Sequence, residues 1–115
     1  MQNDDFYVVA TRILSYLYEC AKRDLKPSKD DISHEALGIN KFYQDFVVRA
    51  LLEAGFMGNY YRHSGNYMIH APFDMVEITY KGIEALHTDP LYKAAGDYIL
   101  ENKLEVHPTG DARVE

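Results

Sequence analysis

Cysteine occurs once, tryptophan never, and no apolar run comes near the ~18 residues that a helix needs to cross a bilayer. A single cysteine excludes an internal disulfide and a thiolate metal cluster, and Cys20 stands among helix-patterned apolar residues, where a buried, inert thiol is the usual role. Basic charge is scarce as well: 12 Lys and Arg face 18 Asp and Glu, a net charge of −6. That balance opposes indiscriminate nucleic-acid binding, whose affinity comes from cations that displace condensed counterions. The first residues, Asp4 and Asp5 among them, are acidic where a secretory leader opens basic. The expected setting is the cytoplasm, with no membrane partner.

Catalytic signatures are missing too. There is no P-loop, dinucleotide fingerprint or nucleophile elbow, and Gly55, Gly58 and Gly65 read as a helix stop and hairpin turns. His34, His63, His70, His87 and His107 have no short paired spacing and no cysteine partner, so a zinc site has no local framework. Asp4-Asp5 and Asp30-Asp31 read as capping or solvated charges rather than as paired catalytic carboxylates, which need a cleft to separate their pKa values. The expectation is a protein that is not an enzyme, with no cofactor and no metal.

What is present is an ordinary globular composition, 47% hydrophobic and 26% charged over 115 residues, enough for one domain with a real core. Ten tyrosines add apolar area with a polar tip. Apolar residues at Phe6, Val9, Ile13, Leu14, Leu17, Cys20 and Ala21 follow three- and four-residue spacing and predict an amphipathic helix over 4–23, capped by Asn3 or Asp4. Residues 24–31, with Pro27, read as a surface loop. Ser33 caps a short helix that Gly38 ends, and Asn40 caps a second run that buries Phe42 or Tyr43, Phe46, Val47, Ala50, Leu51 and Ala54. Two helices so closely joined predict a helix-turn-helix.

From residue 56 to 79 the helical period gives way to aromatic and β-branched residues broken by the polar stretch 62–66, which predicts a hairpin with strands 56–61 and 67–70. Pro72 interrupts pairing before a short strand over 75–78. Thr79 then caps a helix running to His87, and Pro90 opens another carrying Leu91, Ala94, Ala95, Tyr98 and Ile99. The fold class is α+β: a winged helix, meaning a helix-turn-helix plus a β-hairpin wing, with an additional C-terminal helix. Residues 1–102 form the domain, and 103–115, with Pro108 and Gly110, form a flexible polar tail.

At this point the chain resembles the YjcQ family. The resemblance rests on Phe6-Tyr7 through Ile13-Leu14-Ser15-Tyr16-Leu17, on Glu35-Ala36-Leu37-Gly38-Ile39, on Leu52-Glu53-Ala54-Gly55-Phe56, and on Ile78-Thr79-Tyr80-Lys81-Gly82-Ile83-Glu84-Ala85-Leu86. It implies a small winged-helix protein of Gram-positive bacteria and their phages or prophages, and it carries no catalytic residues.

If the domain reads DNA, the second helix of the turn motif enters the major groove and the wing touches the backbone. With Phe46, Val47, Ala50 and Leu51 buried, its outer face is Lys41, Gln44, Asp45, Val48 and Arg49, joined by Tyr43 if Phe42 takes the inner place. Gln44 is suited to adenine and Arg49 to guanine, while Lys41 and the wing's Arg62, His63 and Asn66 suit phosphates. Among Tyr60, Tyr61 and Tyr67 at least one ring stays on the surface, where Tyr61 suits a nucleobase or a protein. The leading expectation is a DNA-binding transcriptional accessory of phage or prophage type. The alternative is an acidic protein-interaction module, a phage-encoded modulator or inhibitor of a host protein complex, for which the charge and surface tyrosines speak. Wide apolar stripes on the first and last helices predict a homodimer through them.

Overall fold

The computed structural model describes residues 1–58, 61–64, 67–70 and 76–109, with 61–64 and 67–70 as backbone strands. The fold is α+β and rich in helix. Its elements run α1 (Phe6–Arg23), α2 (His34–Leu37), α3 (Lys41–Glu53), β1 (Met57–Gly58), β2 (Tyr61–Ser64), β3 (Tyr67–His70), β4 (Glu77–Ile78), α4 (Tyr80–Thr88) and α5 (Pro90–Glu101).

The first half of helix α1 is the centre of the molecule, while Ser15 and residues 21–23 stay exposed. Every residue from Val8 to Leu14 is buried, as are Tyr16, Leu17 and Cys20, and two turns buried on all sides must be covered by several neighbours. Val47 and Leu51 of α3, Ala85 of α4, and Met57, Val76 and Ile78 from the strand region join it in one core, while Val8 packs with Ala95 and Ile99 of α5. The apolar stripes of the first and last helices are thus buried against each other within one chain. The cap differs from the expected one: α1 starts after Asp5, which makes no side-chain cap bond. Asn3 instead accepts from the Tyr98 hydroxyl and the Asp4 carbonyl from the Tyr43 hydroxyl, so the N-terminus is tied to α5 and α3.

Local chemistry sets the remaining helix ends. Ser33 accepts from the Ala36 amide, Asn40 from Tyr43, Thr79 from Gly82, and Asp89 from Leu91 and Tyr92, with Pro90 in the first turn of α5. Gly38 closes α2 at φ 73, in the left-handed region where a side chain is strained.

Two antiparallel pairs make up the strand region. Met57 pairs with Ile78 and Gly58 with Glu77, then Tyr61 with His70, Arg62 with Ile69, His63 with Met68 and Ser64 with Tyr67. Two residues separate β1 from β2 while six separate β3 from β4, so the returning arm carries four extra residues. Arg62 and His63 are strand residues of β2 rather than part of the polar break. Tyr60, Gly65, Asn66, Pro72 and Met75 lie outside the described residues.

Residues 103–109 run along the body instead of leaving it. The Arg12 guanidinium donates from Nε to the Leu104 carbonyl at 2.8 Å and from Nη1 to the Leu37 carbonyl at 3.0 Å, joining this segment to the end of α2. Burial lowers the Arg12 pKa, and two carbonyls offset part of that cost. Val106 packs on the core, His107 meets Glu19 at 3.0 Å, and Thr109 donates through amide and hydroxyl to Asp31. Asp31 also accepts from the Tyr16 hydroxyl at 2.6 Å, and that hydroxyl accepts from the Ser28 amide at 2.7 Å. The loop after α1 is accordingly anchored, with Leu25 and Ile32 buried.

Candidate interaction surface

The α2–α3 unit is built by short-range bonds and one longer brace. His34 Nδ1 lies 3.3 Å from the Ile39 carbonyl, which bridges the turn, and Gln44 Nε2 donates to the Ile32 carbonyl at 2.6 Å. Gln44 is therefore half-buried and holds α3 to the segment before α2, with its amide nitrogen committed to that brace. Lys41 and Arg49 are exposed. Arg49 Nε reaches the Asp45 carbonyl at 3.4 Å, and neither cation makes an ion pair among the described residues.

Burial along α3 differs from the pattern expected from its sequence. Val47 and Leu51 are buried and Tyr43, Gln44, Val48 and Leu52 half-buried, whereas Phe46 is 53% exposed and Phe42 87% exposed. The inward stripe is turned by about one residue, roughly 100° around the helix. Val48, expected outside, packs against the core, and the outer face is Lys41, Phe42, Asp45, Phe46, Arg49 and Glu53. The apolar i, i+4 series Tyr43-Val47-Leu51 faces inward, whereas the equally regular series that opens with Phe42 and Phe46 is turned outward at both rings, so spacing alone does not choose between the two.

Those two phenylalanines belong to an aromatic patch. Phe46 meets Phe6 edge-on at 6.3 Å and stacks with Tyr43 at 6.4 Å, while Phe6 meets Tyr7 at 5.3 Å. The Tyr43 hydroxyl holds the Asp4 carbonyl at 2.6 Å; burial, then the charges of Asp4 and Asp5, raise its pKa, so it stays a neutral donor. Asp4 and Asp45 are exposed and Asp5 is half-exposed around the patch. The surface is apolar in the middle, with these carboxylates and the exposed Lys41 and Arg49 of the same helix face about it.

Of the wing residues expected to touch a ligand, Tyr61, Arg62 and His63 are consecutive on β2, opposite His70, Ile69 and Met68. Their side chains and Asn66 lie outside what the structure describes. Elsewhere among the described residues no set of three His, Cys, Asp or Glu side chains could hold a metal ion, and no helix is long and apolar enough to cross a membrane.

A helix-rich α+β domain with a short helix, a tight turn, a longer helix and an antiparallel hairpin defines the class of this protein. The chain belongs to the YjcQ protein family, whose model matches residues 11–95. That span covers the α2–α3 unit, the strand region and the start of α5. Neither the curated proteins nor the solved structures provide a match to this chain.

Proposed function

We propose that this protein is a winged-helix module that works by protein–protein recognition, without a catalytic centre, and that the outer face of α3 is its contact surface. The observation that carries the reading is the exposure of Phe42 and Phe46 where a DNA reader would present polar side chains to base edges. Solvent-exposed phenylalanines four residues apart cost solubility unless a partner covers them, and aromatic anchors are what such interfaces use. Asp4, Asp5, Asp45 and Glu53 outnumber Lys41 and Arg49 on this side, which favours a partner whose apolar recess carries more Lys and Arg than Asp and Glu at its rim. A second copy of a chain with net charge −6 is the poorer fit, because it would bring like charges together. A cytoplasmic location is part of the same reading.

DNA binding is kept as a second reading because Lys41 and Arg49 are exposed on the same face and make no ion pair among the described residues, with Arg62 on β2. Two double variants separate the readings. Tagged protein is recovered from the cells that naturally express it, with nuclease treatment, as wild type, as Phe42→Ser with Phe46→Ser, and as Lys41→Ala with Arg49→Ala. A stoichiometric protein partner lost only from the phenylalanine variant supports recognition through the aromatic face. A defined DNA fragment, nuclease-sensitive and lost only from the basic variant, overturns it.

A further inference from the structure

A groove of about 400 Å³ lies between α1, α4, α5 and the 103–109 segment, and shares no residue with the α3 face. Its volume falls within the range of about 300–1,000 Å³ typical of small-molecule sites. The walls are mainly apolar, supplied by Tyr18 of α1, Leu86 of α4, Tyr92 and Leu100 of α5, and Val106. His87 stands edge-on to Tyr18 at 5.9 Å and turns its Nδ1 to the Ile83 carbonyl, so this wall is aromatic and locally satisfied.

Two features of the lining are unexplained by folding. Thr11 is 2% exposed, and its hydroxyl is the only buried side-chain oxygen or nitrogen among the described residues without a hydrogen-bond partner. Such an orphan costs about as much as a lost hydrogen bond. The second is Gly96, within α5, where an added Cβ would meet nothing within 4 Å. A mid-helix glycine weakens its helix relative to alanine, and here neither left-handed backbone nor crowding requires one. What glycine does provide is room in the groove.

The rim's charges nearly cancel: Arg12 and Lys93 face Glu19, Asp97 and Glu105, and Glu19 is already held by Arg23 and His107. Arg12 is committed to two carbonyls. Neither sign prevails at the rim, so no net field there selects an ionised ligand. We propose that this groove is a binding site for an uncharged, mainly aromatic or aliphatic small molecule that lies over Gly96 and presents one hydrogen-bonding atom toward Thr11.

The test uses N-phenyl-1-naphthylamine, a neutral fluorescent probe with a single N–H, on the full chain. Saturable one-to-one binding is expected, at least tenfold tighter than that of the anionic 1-anilinonaphthalene-8-sulfonate. Gly96→Leu fills the groove and abolishes binding while the melting temperature stays level or rises. Thr11→Val keeps the shape, removes the hydroxyl and weakens the probe by about tenfold, the size of one net hydrogen bond; it keeps the test decisive should the leucine variant melt early. Phe42→Ser leaves probe binding unchanged, so this site and the α3 face can fail separately. Non-saturable binding, preference for the anionic dye, or a folded Gly96→Leu variant that binds like wild type would overturn the proposal.

Discussion

Gly82 of α4 is pressed against the backbone of Phe56: a Cβ at Gly82 would lie 2.2 Å from the Phe56 carbonyl oxygen and 2.9 Å from Ile78 Cγ1. That same carbonyl accepts from the Thr79 amide at 3.0 Å, so it cannot retreat without breaking the junction between β4 and α4. Thr79 strengthens the junction by donating its hydroxyl to the Gly55 carbonyl while accepting from the Gly82 amide. The strand pair and the last two helices are positioned through this contact.

Gly82→Ala is therefore expected to destabilise the protein by about 3 kcal/mol, at the upper end of overpacking costs because the obstructing atom is backbone. Gly96→Ala, where the added methyl meets open space, is expected to stabilise by about 0.5–1 kcal/mol. Urea denaturation of both variants checks the opposite signs. Equal effects would show that the helix context, and not the Phe56 contact, governs.

Thr79→Ala removes a cap and a bond to Gly55 together, and a loss of about 1–2 kcal/mol is expected. Thr79→Ser, which keeps the hydroxyl, should recover most of it in the same denaturation experiment. Failure of serine to rescue would place the effect in the methyl group.

Acid should loosen the anchored loop. Burial pushes the Asp31 carboxyl up, but hydrogen bonds from Thr109 and Tyr16 outweigh it and leave the pKa below the ordinary value. The unfolded chain thus binds the proton first, so the stabilisation is fully present above about pH 4, the ordinary value for aspartate, and is lost as pH falls through the lower folded value. Glu19, where hydrogen bonds from His107 and Arg23 likewise outweigh burial, acts in the same sense. Asp31→Asn should lower the melting temperature at pH 6 and flatten its fall between pH 5 and pH 3. An unchanged slope would remove Asp31 from the account of acid sensitivity.

Much of the fold was legible in the sequence because capping is local. Ser33, Asn40, Thr79 and Pro90 each act within one turn, and the structure has them at the helix starts expected of them. Strands 67–70 and the end of β4 follow from β-branched and aromatic residues bounded by turns. The four-residue excess in the returning arm was not legible, since it is a difference between two connections that composition does not reveal. Nor was the all-round burial from Val8 to Leu14 of α1, because it depends on how many neighbours arrive. Arg12 reads as a surface residue until Leu37 and Leu104, distant in sequence, bring their carbonyls to it.

The candidate surface was half legible. Lys41 and Arg49 are exposed as expected, but Gln44 is held by Ile32 and Phe46 is outside. Helical spacing with Phe42 or Tyr43, Ala50 and Ala54 is what points Phe46 to the core on sequence alone. The packing of Val48 chose the other rotation of the helix, and that choice decides whether α3 presents amides or aromatic rings.

Phe42 and Phe46 should matter little to stability. Phe42→Ser is expected within about 0.5 kcal/mol of wild type, and Phe46→Ser to lose about 1 kcal/mol through its contacts with Phe6 and Tyr43. Thermal melts of the two single variants check this. A collapse of either would mean that the rings hold the fold and are not free for a partner.

The most direct measurement is photo-cross-linking in the cells that naturally express the protein, with p-benzoylphenylalanine at Phe42 and, as a control, at the exposed Lys29. The expected result is a discrete protein adduct from position 42 that survives nuclease, has a mass other than twice the chain, and disappears when Phe46→Ser is added. A nuclease-sensitive adduct at position 42, or the same protein adducts from Lys29, would contradict it.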